Sequence, residues 1–387
     1  MSVLLLLLAA LSVGFAWADY VSGYLSYAAA LTLASIWLLR RVLQTRPIRW
    51  HWAATVLVLA AAWGILQCLA GISVYAFVSV RESVCWLAAA AVFVLAVNCI
   101  SSPQQIDLLS RRAIWFGGIL SLLTVLCWYT AGNTILWVIP TKYAAENAGT
   151  FLNRDQYAAF IELLLPIALA RSMQAARLNA PCYFAAAAMY GSVFVTASRA
   201  GTILVTVELL IFLAIACRRV ERGYLAAIMV GGCALAVTAL FGPEYVFHRF
   251  QADDLFTFRR EMLISTWEMM KAKWLTGFGM GTWPTVYPAF AVFDPPGFFM
   301  NHAHNDWAEW TADGGILFTA NIAAVALAAA LAIRRNLWSM GVASVFLHAF
   351  VDFPLHKPAI VLCTFIILGA ALGGQRGASA PSNTFLR

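Results

Sequence analysis

The side chains best equipped for chemistry gather in a few short stretches. Asn301-His-Ala-His-Asn-Asp306 sets two imidazoles, two amides and a carboxylate side by side. His302 and His304 flank one alanine, so an extended backbone would turn both to one side. A histidine near its neutral pKa suits acceptance of a hydroxyl proton. With Asp306 the pair also offers the donor types of a divalent-metal site, and a third reading has a histidine capping the helix that starts near Asp306. No further Cys, His or Glu at ligand spacing accompanies them, so the sequence predicts neither a metal nor a cofactor.

Arginine is the second chemical theme. Arg154 closes the polar run Asn147-Ala-Gly-Thr-Phe-Leu-Asn-Arg-Asp155, Arg199 sits in Thr196-Ala-Ser-Arg-Ala-Gly201, and Arg259 and Arg260 form a doublet. A guanidinium presents a planar fork that matches phosphate oxygens and stays charged at working pH. Arginines converging from three loops would make a diphosphate clamp. Each also has a plainer reading: Arg154 pairs with Asp155 or Glu146, Arg199 snorkels from a glycine turn, and Arg260 pairs with acids on its own helix. His348 and Asp352 stand near the outer end of an apolar stretch, with His356 and Lys357 just beyond. Glu162 and Glu208 fall inside apolar stretches; Glu162 is expected to pair within the helix bundle, and Glu208 has no evident partner.

The elements that carry these residues lie in a membrane. Of the 387 residues 62% are apolar and 11% charged, against roughly 45–50% and about 25% in soluble domains. Apolar stretches of spanning length fall near 3–18, 23–39, 53–72, 84–100, 113–131, 158–171, 182–197, 200–217, 223–241, 314–333, 337–354 and 358–373. The expectation is an all-α integral membrane protein of about twelve transmembrane helices. With the N-terminus inside, each inner segment carries arginine, including Arg40, Arg49, Arg111, Arg171, Arg218, Arg334 and Arg376, while the only inner acids are Asp107 and Glu221. That asymmetry is the positive-inside bias.

The net charge of +7 is dispersed in this way, so it tracks no nucleic acid. All eight cysteines lie in apolar stretches without a CxxC and read as small core residues. Residues 1–18 also resemble a signal peptide ending in Ala16-Trp17-Ala18, but lack a basic start and are expected to be retained. The chain reads as one polytopic domain over 1–373 with a polar cytoplasmic tail, 374–387. Its largest outer loop, 242–313, holds an amphipathic helix over 254–273, with Leu255, Phe258, Met262, Ser265 and Met269 on one face, expected on the membrane surface. Pro284, Pro288, Pro295 and Pro296 then mark irregular backbone. Asp253-Asp254 is the nearest approach to a DxD metal pair.

His302-Ala-His-Asn-Asp306 followed by Gly314-Gly315 resembles the HxHN…GG signature of the O-antigen ligase and polymerase family. The stretch from Arg259 to Gly277-Phe-Gly-Met-Gly281 resembles the arginine…PLxGxGxG segment of that family. GTFLNRDQYAAFIELLLPIALA, TASRAG and HAFVDFPLHKPA are similar to further family segments, in the same order, over about 147–373. Trp274-Leu275-Thr276 replaces the usual Pro-Leu-x, and Asp306-Trp307 stands where a tyrosine is common.

The resemblance implies a GT-C-like, metal-independent membrane glycosyltransferase. It would take a glycan from an undecaprenyl-diphosphate carrier at the periplasmic face of the bacterial inner membrane and pass it, with inversion, to a hydroxyl. That acceptor is lipid A core, another lipid-linked glycan, or a protein in the protein O-oligosaccharyltransferase relatives. It further implies that His304 is catalytic beside His302. Arg199 and Arg259 would bind the diphosphate, with Arg260 as the alternative register and Arg154 adding charge. Asn305, Asp306, Asp352 and His348 would support them. A twelve-span transporter or lipid-glycan flippase is the competing class; the clustering of charge on one face, rather than at the midplane of two related halves, argues against it.

Overall fold

The computed structural model describes residues 1–141, 147–174, 179–217, 231–232, 257–293 and 299–374. Helices run over Ser2–Gly14 (α1), Asp19–Leu43 (α2), Trp52–Leu69 (α3), Ala76–Cys99 (α4), Pro103–Thr130 (α5), Arg154–Gln174 (α6), Ala180–Thr196 (α7) and Arg199–Cys217 (α8). After the described part of the large loop begins, Thr257–Ala272 (α9), Asp306–Ile333 (α10), Met340–His348 (α11) and Pro358–Gly373 (α12) follow. A two-residue hairpin pairs Thr134–Ile135 (β1) with Ile139–Pro140 (β2). Six described helices (α2 from Val21, α3, α4, α5, α8 to Ala216, and α10) are long and apolar enough to cross a membrane. The expected ninth span lies outside the described residues except for 231–232, as do Asp253, Asp254, Glu146 and the tail from 375.

Small residues set the packing of the bundle. Burial against lipid gives helices little reason to associate, so close backbone approach must do it. On α12, Gly369 and Gly373 are one turn apart, and a Cβ on either would lie 2.6 Å from the carbonyl oxygen of Phe93 or Val97 on α4. In the buried core, Trp86 meets Phe318 edge-on at 5.4 Å and Trp310 at 5.9 Å. Tyr157 donates to Ser192 at 2.7 Å across α6 and α7. Of the described cysteines, Cys99, Cys127, Cys182 and Cys363 are buried and Cys68 and Cys85 half-buried, all as free thiols.

Two contacts join segments expected on the same inner face. Arg171 at the end of α6 and Arg111 both pair with Asp107 near the start of α5. Arg49 and Asn98 exchange hydrogen bonds of 2.8 and 2.9 Å.

Four helices depart from the expected boundaries. α4 begins at Ala76 rather than 84. α5 begins at Pro103 rather than 113, because Ser102 and Gln105 form a reciprocal capping box ahead of a proline at the first helical position. The expected inner loop 101–112 is therefore mostly helix. α10 begins at Asp306, not 314, and is broken at Gly315, whose φ is 68°. The expected span 337–354 is not continuous: α11 is nine residues long and ends at His348. The chain then turns through 349–353 into a short 3-10 segment at Pro354–His356.

The buried face of α9 is Met262, Ser265 and Met269, as the spacing predicts, and this face packs against Phe278, Trp283, Tyr287 and Ala303; Leu255 and the Phe258 side chain lie outside the described residues. Its exposed apolar residues are Leu263, Ile264 and Trp267. Irregular backbone after α9 is partly replaced by a one-turn helix at Trp283–Val286, with Pro284 in its first turn.

Candidate active site

The two glycine motifs serve one joint. The Gly277–Gly281 strand of backbone lies across the break in α10: Phe278 N–H donates to Ala312 O, and Gly279 N–H to Asp313 O, each at 2.9 Å. Gly281 N–H donates to the Asp313 carboxylate at 2.9 Å. Gln67 of α3 clamps the crossing, donating to Asp313 O and Thr276 O and accepting from Met280 N–H. Gly277 and Gly315 both have positive φ and backbone atoms where a Cβ would be, so only glycine fits. This joint ties the loop carrying Arg259 to the helix that follows the HxHN residues.

The start of α10 is positioned from the other side. Asn305 caps it, its side chain accepting from Ala308 N–H at 3.0 Å, so the cap is asparagine rather than histidine. Asp306 N–H donates to Ala349 O at 2.8 Å, and Trp307 Nε1–H to Phe346 O at 3.0 Å. These bonds fasten the HxHN loop to the turn that ends α11.

His304 has φ of 51°, a left-handed conformation uncommon for a residue with a side chain. That twist corrects the expectation that His302 and His304 face one way. His304 Nδ1 lies 2.8 Å from Asp352 Oδ1, while His302 Nδ1 lies 3.0 Å from Glu309 Oε1. Phe353 separates them, stacked on His302 at 4.3 Å and edge-on to His304 at 4.9 Å.

Asp352 joins His304 to the arginines. Its Oδ1 is 4.0 Å from Arg259 Nη2. Arg259 Nη1 donates to Val351 O at 3.0 Å, and Nη2 to Asp155 Oδ2 at 3.1 Å. Ser198 Oγ donates to the other Asp155 oxygen at 2.6 Å. A continuous polar line thus runs Ser198, Asp155, Arg259, Asp352, His304, linking five stretches far apart in sequence. Burial favours the neutral Asp155 carboxyl, yet Arg259, with His348, Ser198 and Arg154 nearby, holds it down at about 2.

Arg199 begins α8 next to Ser198, which caps that helix by accepting from Gly201 N–H. Arg199 is half-buried. Arg154, at the first turn of α6, is buried, and Asn153 accepts from Asp155 N–H there. Of the doublet, Arg259 enters the polar line and Arg260 is exposed. His348 is fully buried and bonds Glu162 at 2.8 Å, so Glu162 pairs within the helix bundle as expected. Glu208 accepts from Ser344 Oγ.

Asp306 faces away from His304. Its Oδ1 is 2.6 Å from His356 Nδ1, and its Oδ2 accepts from Leu355 N–H. Burial alone would depress His356, but Glu309 and Asp306 raise it to about 10; burial of His302 outweighs Glu309 and lowers it. The candidate metal set His302, His304 and Asp306 is therefore not assembled. The described residues that do converge are His302, Glu309 and His356. The sequence reading missed Asp155, Glu309 and His356 as site members. Asp155 ended a polar run already singled out, and Glu309 stands one helical turn beyond Asp306 on the same face.

The helices and this end-on cluster of arginine, carboxylate and imidazole define a multi-pass membrane protein with a built polar site at one end of its bundle. Residues 184–323, from α7 into α10, match the family model described as O-antigen ligase, in keeping with the resemblance carried by the motifs. No curated protein matches the chain.

Proposed function

We propose that the chain transfers a glycan from an undecaprenyl-diphosphate carrier to an acceptor hydroxyl at the periplasmic face of the bacterial inner membrane, with inversion at the anomeric carbon. The acceptor is lipid A core or another lipid-linked glycan. The observation that carries this reading is the single Asp352 oxygen lying against both His304 Nδ1 and Arg259. With Nδ1–H directed at Asp352, His304 keeps Nε2 as the acceptor nitrogen. Nε2 takes the hydroxyl proton as the acceptor oxygen attacks the anomeric carbon and the bond to the diphosphate oxygen breaks.

Undecaprenyl diphosphate is already a good leaving group, so the protein must mainly hold it and stabilise its growing charge. Arg259 is held rigid by Asp155 and the Val351 carbonyl, and Arg199 and Arg154 adjoin members of the same line. Preorganised guanidinium groups supply that stabilisation with no need of a metal at the leaving oxygen.

Purified protein in detergent, given lipid-linked glycan and lipid A core, is expected to form the joined product without a second compartment. Glycan movement across sealed vesicles with no bond formed would instead make the chain a transporter. In cells, loss of core-linked polymer with carrier-linked polymer accumulating would identify a ligase; single repeat units on the core would identify a polymerase.

A further inference from the structure

A second convergence of polar side chains lies on the far side of Phe353 from His304. His302 Nδ1 is 3.0 Å from Glu309 Oε1, and His356 Nε2 is 3.2 Å from the same oxygen. The three ligand atoms lie within 4.8 Å of one another. Tetrahedral ligands at about 2.0–2.1 Å from zinc stand roughly 3.3 Å apart, so two edges of the triangle already have that length.

The support around these atoms is of the kind that metal sites use. His356 directs its other nitrogen, Nδ1, to Asp306, whose second oxygen is held by the Leu355 amide. A carboxylate behind an imidazole in this way fixes the ring and raises its basicity as a ligand. Glu309 uses Oε2 to accept from Ala303 N–H at 2.7 Å, which leaves Oε1 turned toward both rings. His302, Glu309 and His356 all line one cavity of about 270 Å³, shared with Arg81, Asn301 and Lys357.

We propose that His302, Glu309 and His356 bind a zinc-type divalent ion, with a fourth position left for water or an anionic oxygen entering from the cavity. Two imidazoles and one carboxylate are the donor set of three-ligand zinc sites with one open position. The ion would staple the HxHN loop to the first turn of α10 and to the 354–356 turn, with His304 outside its ligand shell. This proposal does not rest on glycan transfer, and its test is read without that activity.

The full chain in detergent, stripped with chelator, is titrated with Zn²⁺ against a chromophoric chelator and separately with Co²⁺ by visible absorption. The expected result is about one ion per chain and the intense d–d bands of four-coordinate cobalt. Glu309→Gln and His356→Ala should each weaken binding about tenfold or more, whereas His304→Ala keeps full stoichiometry. His302→Cys should retain the ion and add a thiolate-to-cobalt charge-transfer band, a signature that loss of folding cannot produce. Substoichiometric binding by the unaltered chain, or zinc affinity indifferent to Glu309→Gln and His356→Ala, would overturn the site. Loss of the ion in His304→Ala would also overturn it, by moving the ligand set to the HxH pair.

Discussion

Asp352 Oδ1 stands 2.8 Å from His304 Nδ1 and 4.0 Å from Arg259 Nη2. One carboxylate oxygen therefore orients the proposed base and faces the proposed leaving-group arginine. The turn that carries Asp352 exists because α11 stops at His348.

The first prediction concerns this pair. His304→Ala should lower the rate of glycan transfer by about 10²–10⁴-fold, the usual worth of a positioned general base, while the protein inserts and purifies as before. Asp352→Asn should lower kcat strongly and the KM for donor little, since it leaves the imidazole in place with the wrong tautomer favoured. Single-turnover assays with lipid-linked glycan measure both. Unchanged kcat in Asp352→Asn would separate the carboxylate from the chemistry.

The arginine doublet separates by its two environments. Arg259→Lys keeps the charge but cannot reach both Asp155 and the Val351 carbonyl as a fork, so transfer is expected to fall at least tenfold. Arg260→Ala, at an exposed position, should stay near the unaltered rate. Arg199→Ala should raise the KM for the lipid-diphosphate donor. Equal losses at 259 and 260 would contradict the register seen here.

Asp155 makes a stability prediction with a defined sign. Its folded pKa, held near 2 by Arg259 against the pull of burial, lies below the ordinary aspartate value of about 3.9. The stabilisation is present above that ordinary value and is lost as pH falls through the folded one. Asp155→Asn should lower the Tm in detergent by several degrees at pH 7. The gap between the two proteins should be constant from pH 5 to 8 and shrink only below about pH 4. A gap that closes near neutrality would assign the effect to another group.

Gly315→Ala tests the joint. The new Cβ would meet the Leu275 backbone at a φ of 68°, a conformation and a contact that both exclude a side chain. The expected cost is at least about 1–2 kcal/mol, seen as a lower Tm, together with reduced transfer because the loop carrying Arg259 is anchored there. A neutral Gly315→Ala would mean that the backbone around Leu275 does not need to lie against α10.

How much of this could be read in advance follows from the range of each interaction. Helix identity was legible because apolar runs act locally: α3, α8 and α12 appear close to where hydropathy puts them. Helix ends were less so. α5 gains its first turns from a capping box and a proline, signals shorter and weaker than an apolar run. α11 ends six residues before Pro354, the one proline in its apolar stretch, because the turn after His348 is held by bonds from Asp306 of another segment.

The candidate site divides in the same way. His304, Arg259 and Asp352 could be named as residues of the right chemical type, and Ser198 and Asp155 lay inside polar runs already noted. That Asp352 meets His304, and that His302 parts from it toward Glu309 and His356, was not legible. A left-handed φ at His304 decides that split, and nothing in the His-Ala-His spacing announces it.

Composition and pattern by themselves determined that this chain belongs in a membrane, which segments are apolar enough to be helices, and which few polar residues remain to do chemistry. Those properties are sums over neighbouring residues, and solvent reads them directly. Tertiary structure alone decided the partners: Arg259 rather than Arg260, His348 for Glu162, and a joint of glycines binding two distant segments. Those choices depend on side chains and backbone meeting within about 3 Å, a distance that no one-dimensional spacing encodes.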